Sequence, residues 1–93
     1  MFDKNEVMVS GKVLAVDGGL DERNRPYANL YLESVGKKYP ETVHFSFSGE
    51  NAERLQKEVS KDDSIIVFGS VNGKKVIDSI SIRLHGYHFF LLK

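Results

Sequence analysis

Two tyrosines are predicted to lie exposed in the segment PYANLYLES, which runs from Pro26 to Ser34. Small and aliphatic residues alternate there with polar and aromatic ones, among them Tyr27 and Tyr31. Successive side chains of an extended strand point to opposite faces, so the pattern places both tyrosines on the face that is turned away from the core. An exposed ring of this kind can stack on another flat ring such as a nucleic-acid base, which is worth about 1–3 kcal/mol per base.

Two further rings follow in the chain. The segment ETVHFSFS, residues 41–48, alternates strictly and puts His44 on its polar face, while Tyr39 lies in the preceding connection. The predicted base-stacking residues are therefore Tyr27, Tyr31, Tyr39 and His44. The alternative is that the tyrosines are cross-strand packing residues or part of a subunit interface, and that His44 is an ordinary polar residue of the strand face.

Basic residues cluster in and beside the predicted loops. The chain has 13 basic and 13 acidic residues, so any basic surface must be local. The predicted phosphate contacts are Lys12, Arg23, Arg25, Lys37, Lys38, Lys74 and Lys75. Contacts to several phosphates would make the affinity for a nucleic acid fall steeply with salt. The alternative is that paired lysines at turns only keep the edges of the sheet soluble.

Periodicity and turn residues predict five strands and one helix. The predicted strands are residues 6–16, 26–34, 41–48, 64–71 and 76–84, and the predicted helix is residues 49–59. Gly11 is predicted to bend the first strand, a loop follows at residues 17–26, and Asn72-Gly73 is predicted to form the last hairpin turn. The residues assigned to the core of the sheet are Phe45, Phe47, Ile65, Val67, Phe68, Ile80 and Ile82.

This order of elements is similar to the OB-fold, a five-stranded Greek-key barrel. Three segments also resemble the single-stranded DNA-binding protein family over roughly residues 6–84: VMVSGKV, ANLYL and VHFSFSGENAERLQKEVSKDDSIIVFGSV. The resemblance extends to the primosomal replication protein of the same fold. It implies an all-β, five-stranded OB-fold barrel with one short α-helix between the third and fourth strands.

The sequence departs from the family pattern in three places. The chain has no Trp, and Thr42 stands where the bacterial proteins typically carry a base-stacking Trp. Ser48 stands where the family has an aromatic residue just before the glycine that precedes the helix. The C-terminus is the apolar HGYHFFLLK instead of an acidic tail.

The domain organisation is predicted to be simple. Residues 1–93 form one domain, with a core at residues 6–84 and an apolar tail at residues 85–93. The tail is expected either to close the open end of the barrel or to pack against another subunit or a protein partner. The chain lacks a signal peptide and an apolar segment of membrane-spanning length, which predicts a cytoplasmic protein without membrane contact.

The predicted function is sequence-nonspecific binding of single-stranded DNA in replication, recombination or repair, by a homo-oligomer, either a dimer or a tetramer. RNA remains open as a ligand, because stacking does not distinguish the sugar. The alternative is a protein-interaction or assembly module with little affinity for nucleic acids. No enzyme is predicted, because the chain has no P-loop, GxSxG or HExxH motif. No cofactor or metal is predicted either, since the chain has no Cys and His85 and His88 have no flanking carboxylate.

Overall fold

The computed structural model describes residues 6–34, 42–76 and 79–92, and within this part residues 71–83 are described by their backbone alone. The elements are β1 (Glu6–Leu20), β2 (Pro26–Ser34), β3 (Thr42–Ser48), α1 (Gly49–Glu58), β4 (Ser64–Val76) and β5 (Ser79–Leu92). The strands close into a barrel in the order β1-β2-β3-β5-β4. This architecture confirms the predicted five-stranded OB-fold barrel with one helix between the third and fourth strands.

The first strand pairs with two neighbouring strands. Its N-terminal part, through Lys12, pairs with β4, and its part from Gly11 onward pairs with β2. At Gly11 the backbones come so close that an added Cβ would collide with the Glu33 carbonyl group. Glycine is required there because only a residue without a side chain allows this approach. The barrel is closed between β3 and β5 by a short parallel pairing at Phe45–Leu84 and Ser46–His85.

The core fills the barrel with alternate residues of its strands. Phe45, Phe47, Ile65 and Val67 are buried there, as predicted. Phe68 was predicted to be buried, and that prediction is wrong. A continuous apolar run does not indicate which residues face inward, and in β4 the alternation turns the residue after Val67 outward. The side chains of Ile80 and Ile82 lie outside the described part.

Helix α1 packs mainly against β2. It begins after Ser48, which has an extended backbone, and it buries Ala52 and Leu55 against the barrel, with Val59 buried just after its end. A helix of about ten residues is marginal in water, so this packing stabilises it. No helix in the described part of the chain is long and apolar enough to cross a membrane.

The strands run further than their sequence patterns indicate. Residues Gly18 and Gly19, which were assigned to a loop, belong to β1 and pair with Ala28 and Tyr27 of β2. Asn72 pairs with Arg83 within the β4–β5 ladder, so the turn predicted at Asn72-Gly73 is wrong. An Asn-Gly pair permits a tight turn but does not require one, and here the long pairing of two strands continues through it.

The fifth strand continues to Leu92. The segment from His85 onward pairs along β4, with Phe89 opposite Val67 and Leu91 opposite Ile65. Phe89 is buried, and its ring meets that of Phe47 edge to face with 6.0 Å between the centroids. Residues 85–92 are therefore part of the barrel wall.

Candidate nucleic-acid interface

The outward side of β1, β2 and β3 carries three of the predicted stacking residues, Tyr27, Tyr31 and His44, and we call it the stacking face. Its rows, from β1 through β2 to β3, are Lys12–Glu33–Thr42, Ala15–Tyr31–His44, Asp17–Asn29–Ser46 and Gly19–Tyr27–Ser48. A β-bulge between Val13 and Ala15 inserts one extra residue into β1. A single inserted residue exchanges the two faces of a strand, and this exchange brings Asp17 to the outer side.

Tyr31 and His44 form an aromatic stack at the centre of the stacking face. Their ring centroids are 4.7 Å apart and their planes differ by 10°. The structure therefore brings two of the predicted stacking residues together, although they lie on different strands. Each ring covers one face of the other, so a ligand base can extend this stack only at its open ends.

A chain of hydrogen bonds holds the imidazole of this stack. The Asn29 amide nitrogen donates to Asp17 Oδ1 over 2.9 Å, and Asn29 Oδ1 lies 2.9 Å from His44 Nε2. Sequence reasoning did not select Asp17 or Asn29 for the site. The alternation of β2 already places Asn29 beside the tyrosines, whereas the position of Asp17 depends on a bulge that no residue pattern indicates.

Tyr27 lies on the same strand as Tyr31, four residues away, which corresponds to about 13 Å along an extended chain. Its side chain is 41% exposed, and Gly19 stands opposite it on β1. Its backbone carbonyl accepts a hydrogen bond of 3.1 Å from Gln56 of α1. The helix thus fixes the backbone at this end of the stacking face, while the ring remains accessible.

The loop between β1 and β2 is a compact turn built on Asp21. One carboxylate oxygen of Asp21 accepts the backbone N–H groups of Arg23 and Arg25, at 2.8 and 2.9 Å. The hydrogen bond from the Arg25 backbone is the main cause that lowers the pKa of the Asp21 carboxyl, against a smaller opposing effect of desolvation. Asn24 has a positive φ of 59°, which Asn tolerates better than most residues.

The two loop arginines differ in their charge partners. Arg25 Nε lies 3.1 Å from Asp21 Oδ2, so its charge is largely compensated. The Arg23 guanidinium has no ion-pair partner within the described part of the chain. Both arginines line one open hollow together with Tyr27 and the acidic residues Asp21 and Glu22. The structure thus places a cation without an ion pair among the described residues beside an exposed ring.

Of the remaining predicted cations, the structure gives the side-chain position of Lys12 alone. Lys12 lies on the stacking face opposite Glu33, and its Nζ is 3.4 Å from Asp62 Oδ1. The backbones of Lys74 and Lys75 lie in β4, paired with β5, but their side chains are outside the described part. Tyr39, Lys37 and Lys38 lie outside the described residues. Among the described residues, no group of three or more His, Cys, Asp or Glu side chains could hold a metal ion.

A second surface, on the outward side of β1, β4 and β5, is rich in exposed apolar residues, and we call it the apolar face. It consists of the exposed Met8, Phe90 and Leu92 and the half-buried Ile66, Phe68 and His88. Met8 is 66% exposed, Phe90 51% and Leu92 48%. The rings of Phe68, His88 and Phe90 contact one another, with centroids 4.4–6.2 Å apart. Exposed apolar patches with this degree of continuity are typical of interaction surfaces.

The comparisons with known proteins agree with this architecture. No family model and no curated protein matches the sequence. Among solved structures, the mitochondrial single-stranded DNA-binding protein Rim1 of S. cerevisiae (Form1) matches with a TM-score of 0.81 at 15% identity, over 98% of each chain. The SSB domain of a Synechococcus protein matches with a TM-score of 0.76 at 15% identity, over 96% of this chain and 97% of that one. The chain therefore has the same OB-fold as these two structures, over 96–98% of its length.

Proposed function

We propose that the protein binds single-stranded DNA without strong sequence preference. The observation that carries this proposal is the Tyr31–His44 stack at the centre of an outward sheet face, with Tyr27 exposed further along the same strand. The fold adds support, because the similar structures are described as single-stranded DNA-binding proteins. The process served would be replication, recombination or repair in the cytoplasm.

Bases stack on the open ends of the Tyr31–His44 stack and on the ring of Tyr27. Such contacts tolerate any sequence, because every base has a π-face. Between them the strand crosses the row of Asp17, Asn29 and Ser46, which offers polar groups and no ring.

Phosphate contacts come first from Arg23, whose charge is not compensated within the described residues and which lies beside Tyr27. Arg25 and Lys12 contribute less, because each already faces a carboxylate. Tyr39, Lys37, Lys38, Lys74 and Lys75 stay predicted contacts.

We also propose that the protein acts as a homo-oligomer, a dimer or a tetramer, through the apolar face. The rows Met8–Phe68–His88 and Ser10–Ile66–Phe90 carry no Asp, Glu, Lys or Arg. On β1, Glu6 and Lys12 flank these rows at opposite ends. Two copies packed with their β1 strands antiparallel would bring Glu6 near Lys12 of the partner subunit at both ends. The stacking face stays open, and several linked barrels bind one strand with avidity.

The second candidate function is that of a protein-interaction module, and the apolar face is the observation that favours it. In that case the occupant of this face is a different protein, and the barrel has little affinity for DNA. The absence of Trp fits this alternative as well, because the family typically uses Trp for stacking.

The test is a fluorescence-anisotropy titration of a labelled oligothymidylate of about 30 nucleotides, long enough for several barrels at about 4–16 nucleotides each. It is run at low and physiological salt, with duplex DNA and RNA as competitors. We expect micromolar or tighter binding that weakens with salt and that duplex DNA does not displace. Absence of binding at low salt would overturn the proposal and leave the interaction module.

A further inference from the structure

The hydrogen bonds on the stacking face determine where His44 carries its proton. A carboxylate only accepts hydrogen bonds, so Asn29 must turn its amide nitrogen toward Asp17 and its oxygen toward His44. The amide oxygen also only accepts, so His44 Nε2 must be the donor. The Asp17–Asn29 pair therefore selects the tautomer of His44 with the hydrogen on Nε2.

This tautomer leaves Nδ1 without a hydrogen, so Nδ1 can only accept hydrogen bonds. The hydrogen bond from Nε2 to Asn29 and the stack on Tyr31 together fix the orientation of the imidazole.

The described groups around His44 include few charges. On β1, the nearest charged residue in the register is Asp17, and on β2 it is Glu33, one row away, with the Tyr31 phenol stacked on the imidazole. The neighbours on β3 are uncharged, and β5 contributes His85, which pairs with Ser46. Lys12 lies in the row of Glu33 and is itself paired with Asp62. Of these groups, Asp17 is the one that is hydrogen-bonded to Asn29.

We propose that Asp17 and Asn29 are positioning residues that hold the Tyr31–His44 stack in one arrangement before a strand binds, so that single strands bind more tightly than they would to a stack without this support. The inference rests on the proposed function. A stack held in place before binding loses less conformational entropy when a base joins it.

The binding test compares the unmodified protein with Asn29→Ala, which removes the hydrogen bond to His44 without a change of charge. Oligothymidylate is titrated at one pH in 0.1 M salt. We expect Asn29→Ala to bind about 2- to 12-fold less tightly, the cost of immobilising one side chain on binding.

The positioning role is tested separately by ¹⁵N NMR of the His44 imidazole at pH 8, which distinguishes the two tautomers and needs no DNA. We expect the Nε2–H form in the unmodified protein and a mixture in Asn29→Ala and Asp17→Ala. The control is Glu53→Ala, on the exposed side of α1. Like Asp17→Ala it removes one carboxylate, but at a position outside the stacking face. The same spectra report whether each variant is folded.

The outcomes separate this inference from the proposed function. Absence of binding by the unmodified protein contradicts the proposed function itself. Equal binding by Asn29→Ala and the unmodified protein contradicts only the effect of positioning on affinity. An unchanged Nε2–H form in both Asn29→Ala and Asp17→Ala overturns the positioning role.

Discussion

The rings of Tyr31 on β2 and His44 on β3 stack in parallel, with 4.7 Å between their centroids. The two residues face each other directly in the β2–β3 register, and both lie on the outward side of the barrel. Their contact forms a single aromatic unit in which each ring has one covered face. Loss of either ring should therefore affect binding more than its own contact with a base would suggest.

Replacement of Tyr31 by Ala is expected to weaken binding of oligothymidylate. Removal of one stacked base costs about 1–3 kcal/mol, or about 5- to 150-fold in affinity, and the loss should lie toward the upper end because His44 also loses its neighbour. Anisotropy titration at constant salt measures the effect. Tyr31→Phe keeps the ring and is the matched control, which should bind like the unmodified protein. Equal binding by Tyr31→Ala would show that the strand binds elsewhere.

Arg23 and Arg25 can be compared directly, because they lie in one loop and differ in their charge partner. Arg23→Ala is expected to reduce the slope of log affinity against log salt by about 0.7, the value for one phosphate contact on a single strand. Arg25→Ala should reduce it less, since Asp21 already compensates that charge. Titrations at several salt concentrations give both slopes. A larger decrease for Arg25→Ala would reverse our assignment of the phosphate contact.

Sequence reasoning predicted the architecture because alternation and helical spacing are visible within short segments of the chain. Alternation in β3 identified Phe45 and Phe47 as inward residues, and the change to helical spacing identified α1. Tyr27 and Tyr31 were placed outward by the same argument. Where a strand has one polar and one apolar side, its pattern is enough to assign its faces.

The remaining features depend on the pairing of distant segments. Phe68 was assigned to the core because the whole run around it is apolar, and only the pairing of β4 with β1 and β5 decides its face. The Asn72-Gly73 signal is local and was overridden by a longer ladder. Asp17 joined the site through a bulge in β1, which the side chains of that segment do not indicate.

The carboxyl of Asp21, in the loop between β1 and β2, should make the stability of the folded protein depend on pH under acidic conditions. Its pKa is lowered in the folded protein, mainly by the backbone hydrogen bond from Arg25. A depressed folded-state pKa contributes stability that is present above the unfolded-state value, and this contribution is lost as the pH falls through the folded-state value. Asp21→Asn should therefore unfold at a lower temperature than the unmodified protein at pH 6, with a difference that shrinks as the pH falls below the ordinary pKa of an Asp carboxyl and through the lowered folded-state pKa. A difference that stays constant over this range would contradict the lowered pKa.

Substitution of Gly86 tests whether the chain after Leu84 belongs to the barrel wall. An added Cβ at Gly86 would collide with the ring of Phe47, which is buried in the core. Gly86→Ala is therefore expected to reduce the free energy of unfolding by about 1–3 kcal/mol, the usual cost of overpacking. Gly19→Ala is the control, because a Cβ there would lie at an ordinary distance of 3.8 Å from the Tyr27 hydroxyl. Equal stability of the two variants in urea denaturation would place Gly86 outside the packed wall.

Self-association through the apolar face should depend on Phe90, which is 51% exposed and contacts the rings of Phe68 and His88. Phe90→Glu is expected to raise the dissociation constant of the oligomer about 30-fold or more, because a central interface aromatic is worth about 2 kcal/mol and a buried carboxylate adds a further cost. Leu20→Glu is the matched control, since Leu20 is 62% exposed but lies at the far end of β1. Sedimentation velocity over a concentration series measures both variants. A monomeric unmodified protein, or equal dissociation of both variants, would overturn the proposed interface, and a monomer that still binds oligothymidylate would leave the stacking face as the site of binding.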